Sequence, residues 1–322
     1  MNANLPPPSS GTRRAVTFIA TGCGLLAAVG YTASNACLRS VVHCDPVWVS
    51  TIKAFPVVVL AGPWLLVLYA RGERILPAAK VLGALALSSL VGQLVGNVLF
   101  QWALGVVGLA LAVPITLGTT ILAGAVLGRF CLHEPLTLRT LAAVVVLIAA
   151  ISVLSAGVGD AHRAVVGAAE PGGATGNWRL LTAGVAAATL SGIAYSFLGV
   201  VIRYGVCGRT SVAFTMFAVG ITGTVGLGGL AEWRIGVAGM LDTPAYEMGM
   251  MLLAGGFNAL AFLALTKSLQ LADLVYVNAL NATQAALAVV AGVVLFREAW
   301  SQPLTAGIVL TVAGLVIMKR GR

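Results

Sequence analysis

The chain has 322 residues, of which 59% are hydrophobic and only 9% are charged, and its formal net charge is +9. Soluble domains are roughly 45–50% apolar and about 25% charged, so this composition excludes an ordinary soluble protein and predicts a polytopic membrane protein. Because the Lys and Arg residues fall in short loops, we expect the lipid bilayer as a partner and no nucleic acid.

The N-terminal segment, residues 1–14, is polar and rich in Pro and Ser, and we predict a disordered cytoplasmic tail. The apolar run that begins at Ala15 is too long for the core of a cleaved signal peptide and long enough to cross a bilayer of roughly 30 Å. We therefore interpret this run as the first membrane helix.

Apolar runs of about 17–25 residues between Gly, Pro or charged breaks predict ten transmembrane helices. They lie near residues 15–38, 47–70, 81–103, 108–128, 139–157, 180–202, 210–231, 248–266, 273–296 and 303–318. The predicted fold class is thus all-α integral membrane. We divide the chain into a first five-helix repeat (15–157), an inter-repeat loop (158–179), a second repeat (180–318) and a basic cytoplasmic tail (319–322).

Three pairs of residues recur at one separation, 164 residues, and at the same points of the hydrophobic pattern. The pairs are Tyr31 with Tyr195, Arg39 with Arg203, and Glu134 with Glu298. Because five spans is an odd number, a second copy must cross the membrane in the opposite sense to the first. The sequence therefore predicts two inverted five-helix repeats, a common construction among secondary transporters.

The placement of basic residues gives an orientation, because Lys and Arg in short loops stay cytoplasmic. Most of them fall in loops on the side that holds both termini, so we expect both termini in the cytoplasm. Indoles favour the interface, and five tryptophans fall at the opposite, outer one: Trp48, Trp102, Trp178, Trp233 and Trp300. The expected location is the cell inner (plasma) membrane.

Two short motifs follow the fourth helix of each half: Leu-His-Glu-Pro-Leu at 132–136 and Phe-Arg-Glu-Ala-Trp at 296–300. With two five-helix halves and Gly/Ala-rich final helices, the chain resembles the EamA-type branch of the drug/metabolite transporter superfamily over residues 15–318. This resemblance implies a ten-helix carrier of small metabolites with a central cavity between the halves. One departure is His133, where a small residue is common.

Lys53 is the single formal charge well inside a predicted span. A buried ammonium costs roughly 2.5–3.5 kcal/mol on insertion scales and rarely faces lipid. One interpretation is that Lys53 attracts an anionic or carboxylate-bearing substrate, and the resemblance supports it because EamA-like proteins often carry a basic residue in this helix. The other is that Lys53 snorkels outward or pairs with Asp45.

Amides and tyrosines inside the spans supply the remaining candidates for substrate binding. Gln93, Asn97 and Gln101 share one stripe of the third helix, and of these we select Gln93 and Asn97. In the second half, Asn278, Asn281 and Gln284 follow at steps of three, and we select the latter two. The full selection is Lys53, Asn97, Gln93, Asn258, Asn281, Gln284, Tyr31, Asn35 and Tyr195. Packing between helices is the alternative role for these side chains.

We expect a secondary transporter that moves a small polar metabolite, such as an amino acid or organic acid, by alternating access, with export among its possible directions. The alternative is a non-transporting membrane accessory or sensor protein. No enzyme is expected, because the three histidines lie in separate predicted loops and no nucleophile with a base is evident. No catalytic residue, cofactor or metal is expected, and the oligomeric state is open between monomer and homodimer.

Overall fold

The computed structural model describes residues 10–73, 75–134, 137–166, 178–208, 210–296 and 302–319. All regular secondary structure within these ranges is helical. In chain order the helices are α1 (Ser10–Arg39), α2 (Pro46–Ala70), α3 (Ala79–Val107), α4 (Leu109–Cys131), α5 (Leu138–Val166), α6 (Trp178–Val206), α7 (Val212–Leu241), α8 (Ala245–Leu271), α9 (Leu274–Asn281), α10 (Thr283–Phe296) and α11 (Gln302–Lys319).

Seven of the described helices are long and apolar enough to cross a membrane, and α5 and α11 each contain a shorter apolar stretch. Their apolar side chains are exposed on the outer surface of the bundle, as at Phe18, Leu66 and Phe130. In water such a surface would aggregate, whereas in a bilayer it contacts lipid. The chain is therefore a multi-pass, all-α membrane protein.

Two helices depart from regular α-geometry, and one predicted span is interrupted. Gly92–Val98 within α3 and Thr222–Leu227 within α7 are π-helical, a geometry that is rare and often found at functional sites. In α7, Gly236 has φ 67° and bends the helix. The predicted ninth span is divided at Ala282 into α9 and α10.

Several helices extend beyond the bounds that the apolar runs predict. α1 begins at Ser10 within the expected tail, α5 continues to Val166 within the expected inter-repeat loop, and α7 continues to Leu241. A helix can continue past the bilayer into water. A change from apolar to polar residues then marks the edge of the bilayer and not the end of the helix. The remainder of that tail (1–9), residues 167–177, the motif residue Glu298 and residues 320–322 lie outside the described residues.

The helices of the first half pack extensively against those of the second. α1 packs along α8, α4 along α6, α2 along both α7 and α8, and α5 along α11. Small residues permit close approach: at Gly192 of α6, an added Cβ would lie 2.5 Å from the backbone oxygen of Thr116 and 2.8 Å from Cβ of Thr119, both in α4. The α4–α6 contact is therefore one of backbone against backbone.

We expect Gly192→Ala to lower the stability of the protein by roughly 1–3 kcal/mol, since an inserted methyl group forces well-packed backbones apart. Gly256→Ala is the matched control, because Gly256 lies in α8 with no atom near its missing Cβ. There alanine should leave stability unchanged or raise it by up to about 1 kcal/mol. Thermal unfolding of both variants in detergent checks this, and equal effects would contradict the close contact.

Candidate functional site

A cavity of about 160 Å³ lies in the centre of the bundle. Helices α1 to α4 of the first half line it together with α6 to α10 of the second half. This volume is below the roughly 300–1,000 Å³ of pockets for drug-sized ligands. Its lining mixes apolar side chains such as Phe100 and Phe262 with amides, tyrosines and one lysine, so it suits a small polar molecule.

Asn97 is the centre of a hydrogen-bond network on one wall of the cavity. Its Oδ1 accepts from Lys53 Nζ at 2.6 Å and from the Tyr195 hydroxyl at 2.7 Å. Its Nδ2 donates to Gln93 Oε1 at 2.6 Å, and Gln93 Nε2 donates to the backbone oxygen of Val219 at 2.9 Å. The network therefore joins α2, α3, α6 and α7. Its direction is fixed because the Lys53 ammonium can only donate and the Val219 carbonyl can only accept.

The π-helical part of α3 carries both amides of this network, Gln93 and Asn97. The wider turns of a π-helix disturb the i→i−4 backbone hydrogen bonds of an α-helix. A side chain of α6 supplies a hydrogen bond to this backbone, because Ser191 Oγ donates to the oxygen of Gly96 at 2.7 Å. Tyr195 lies against the same glycine, where an added Cβ would come within 2.8 Å of its ring. Because Gly96 has no side chain, the ring of Tyr195 can lie close against α3.

Lys53 has no carboxylate partner among the described residues. Its side chain is buried, with 6% of the residue exposed, and Asn97 Oδ1 is its hydrogen-bond acceptor. The alternatives of snorkelling and of pairing with Asp45 are wrong. Asp45 instead caps α2 and forms an ion pair with Arg234 at 3.0 Å. The ammonium therefore brings a positive charge to a cavity whose described lining contains no Asp or Glu.

A second set of polar side chains lines the rest of the cavity, and these have no hydrogen-bond partner among the described residues. The Oδ1 atom of Asn281 is fully buried and unpaired. Burying such an atom without a partner costs about 1–3 kcal/mol, so a bound ligand or water would relieve the cost. The other members of the set are Tyr31, Asn35, Asn258 and Gln284.

All nine side chains selected from the sequence line this one cavity. Their role in substrate binding stays a prediction. Gln101 does not line the cavity: it lies one helical turn beyond Asn97, it is buried, and neither atom of its amide has a partner among the described residues.

Three polar lining residues were absent from the selection: Thr116, Thr120 and Asn278. The Thr120 hydroxyl donates within its own helix, to the oxygen of Thr116 at 2.7 Å, whereas the Thr116 hydroxyl donates to the oxygen of Ala188 in α6 at 3.0 Å. Asn278 was the discarded member of its amide series. The helix break at Ala282 lets Asn278, Asn281 and Gln284 face one cavity, where a continuous helix would have turned one of them away.

An ionic cluster lies directly behind one end of the cavity. Arg203 follows the lining residue Ile202, and its Nη1 donates to the backbone oxygen of Leu269, another lining residue, at 2.6 Å. Its Nε donates to Glu134 Oε1 at 3.1 Å, and its Nη2 lies 3.5 Å from Asp273. The cluster ties the loop after α4 to α6 and to the junction of α8 and α9.

Glu134 also caps α9, because its Oε2 accepts from the backbone N–H of Leu274 at 2.9 Å. The one carboxylate therefore combines helix capping with pairing to Arg203. His133 precedes it in a left-handed conformation, φ 55°, which glycine adopts most readily and which histidine adopts more often than most other residues. Burial raises the pKa of the Glu134 carboxyl, while the hydrogen bond from Arg203 opposes that shift.

No model of a protein family matches the chain, and no curated protein matches it. A solved structure described only as "Crystal structure of protein" is similar over 94% of this chain and 96% of its own, with a TM-score of 0.65 and 20% identity. At this identity the likeness concerns the fold alone. The fold of the whole chain is therefore one that a crystal structure also contains.

Removing Arg203 should destabilise the protein by roughly 3–5 kcal/mol, the usual effect of leaving a buried carboxylate unpaired. We expect Glu134→Gln to cost less, because a Gln oxygen can still accept from the N–H of Leu274. The double variant Arg203→Ala/Glu134→Gln should be less damaging than the sum of the single changes. Thermal unfolding in detergent measures all three, and strict additivity would show that the two side chains do not interact.

Proposed function

We propose that this protein is a secondary transporter of the EamA type that carries a small polar metabolite bearing a carboxylate or similar anionic group. The observation that carries the proposal is the buried ammonium of Lys53, which faces a cavity between the two halves and has no carboxylate partner in the part of the chain that the structure describes. Intramembrane charges of this kind usually mark a substrate or ion pathway. A carboxylate bound there would supply the missing negative charge.

The other wall of the cavity fits the remainder of such a substrate. Asn281 offers an unpaired oxygen, and Tyr31, Asn35, Asn258 and Gln284 offer further donors and acceptors. These groups can bind hydroxyl, amide or amino groups. Amino acids and hydroxylated organic acids combine an anionic end with groups of this kind.

Packing between the helices supports the proposed ten-span, inverted-repeat architecture. A symmetric repeat maps the first to fifth spans onto the sixth to tenth, with α9 and α10 together forming the ninth. Under this mapping the contact between α1 and α8 corresponds to the contact between α6 and α3. The contact between α2 and α8 likewise corresponds to the contact between α7 and α3. All four contacts occur. The contacts α2–α7 and α5–α11 map onto themselves. The repeat-related side chains of Tyr31 and Tyr195 line the same cavity.

The ionic cluster would close one end of the cavity in this conformation. By the positive-inside rule that end, with Arg203 and Glu134, faces the cytoplasm of an inner (plasma) membrane. Glu134 belongs to the first half and Arg203 and Asp273 belong to the second, so opening the cavity on this side requires the cluster to separate. Alternating access would then be a movement of one half against the other around a fixed site.

Transport in proteoliposomes tests the proposal, with uptake and efflux measured for a panel of amino acids, organic acids, nucleosides and cationic compounds. We expect flux of at least one anionic or zwitterionic compound. In Lys53→Met the KM for that compound should rise about 10–100-fold, because a hydrogen bond to a charged group contributes about 1.5–3 kcal/mol.

Lys267→Met is the matched control, since Lys267 is an exposed lysine of α8 that bonds to Gln270 outside the cavity. This variant should transport as the wild type does. Absence of flux for every compound, in protein shown to be folded, would refute the transporter. Equal loss of neutral and anionic substrates in Lys53→Met would refute anion recognition by Lys53 while leaving transport intact.

A further inference from the structure

A cluster of three metal-ligating side chains lies away from the cavity, where the turn between α1 and α2 meets the first turn of α8. His43 Nε2 lies 2.6 Å from Glu247 Oε1, and Cys44 Sγ lies 3.1 Å from Glu247 Oε2. The ligating atoms of all three are within 4.8 Å of one another. The network of the cavity uses none of these residues.

The backbone holds two of these side chains in place. Three successive hydrogen bonds shape the turn, the last from the N–H of Cys44 to the oxygen of Val41 at 3.1 Å, and Val41 is fully buried. Glu247 is fixed by the helix of which it forms the first turn. Packing holds the side chain of His43 less firmly than those of the other two residues, because 61% of it is exposed.

The donor set of one imidazole, one thiol and one carboxylate selects among metals. Hard cations such as Mg²⁺ and Ca²⁺ prefer oxygen ligands, whereas zinc takes nitrogen, sulfur and oxygen together. Zinc–ligand bonds of about 2.0–2.3 Å place the ligand atoms of a tetrahedral site roughly 3.4 Å apart. The present separations reach this value through small rotations of His43 and Glu247.

We propose that His43, Cys44 and Glu247 form a Zn²⁺ site with three protein ligands and a fourth position open to water. A thiolate and a carboxylate balance the charge of the ion. Since His43 and Cys44 belong to the first half and Glu247 to the second, bound zinc clamps the α1–α2 turn to α8.

The chemistry of Cys44 is consistent with an exchange of a proton for the metal. The thiol of Cys44 donates its proton to Glu247 Oε2 at 3.1 Å. Zinc binds cysteine as a thiolate, and the ion would replace this proton. The neighbouring Asp45 is occupied by Arg234 and by the start of α2, so it does not compete for the ion.

Co²⁺ is the spectroscopic probe for this site, added to the full-length protein in detergent under reducing conditions. The wild type should show thiolate-to-Co²⁺ charge-transfer absorption at one equivalent, and Zn²⁺ should abolish it whereas Mg²⁺ and Ca²⁺ should not. Absence of the absorption in folded wild type would overturn the proposal. This measurement needs no variant and does not depend on transport.

Variants then assign the ligands. Cys44→Ser should remove the charge-transfer absorption, and His43→Ala and Glu247→Gln should each weaken Co²⁺ binding at least tenfold. Cys131→Ser and Cys207→Ser are the matched controls, because these cysteines are exposed elsewhere and should leave the absorption unchanged. An absorption that persists in Cys44→Ser, or binding unaltered by both other variants, would place the metal elsewhere and overturn the site.

Discussion

The need to stabilise one ammonium inside a membrane helix shapes the centre of this protein. Lys53 is buried, and the charge has an amide oxygen, not a carboxylate, as its partner among the described residues. Holding that oxygen in place requires Tyr195, Gln93 and the backbone of Val219 to take their positions around Asn97. The π-helical turn of α3 and the close approach of α6 at Gly96 are the structural means by which these groups meet.

The charges of Arg203 and Lys53 are balanced in opposite ways. Arg203 is neutralised by Glu134 and Asp273 and bonded to backbone oxygens, so it serves to join helices. Lys53 has its hydrogen bond but lacks a counter-charge among the described residues. A low dielectric makes an unpaired charge costly, and in the proposed transporter the substrate anion offsets that cost only while it is bound. Affinity and selectivity would then come from the same residue.

Much of the site could be predicted because polar side chains in a membrane helix are few and rarely face lipid. This constraint was enough to select nine residues that line one cavity. What could not be predicted depends on irregular backbone. Hydrophobic periodicity assumes a regular helix, so it could not show that the break at Ala282 lets Asn278, Asn281 and Gln284 face one cavity. Weak helix formers such as Gly and Asn lie at both the π-helical stretch and the break, but their presence does not reveal how the backbone departs from a regular helix.

Contacts between distant segments could not be predicted from the sequence either. His43 and Glu247 are 204 residues apart, and Glu134 and Arg203 are 69 apart. Periodicity describes one helix at a time and contains no information on which loop meets which helix. The hydrophobic pattern alone would place Cys44 among small apolar residues, whereas in the structure it lies beside a histidine and a carboxylate.

The central claim is that the cavity is reached alternately from the two sides of the membrane. Labelling with a membrane-impermeant maleimide tests it most directly, using Asn281→Cys in a chain whose five native cysteines are replaced by serine, reconstituted into liposomes. If access alternates, the reagent should label the introduced cysteine from each side of the membrane, and a transported anion should slow both reactions. Labelling from one side alone, or from neither, in folded protein would contradict alternating access.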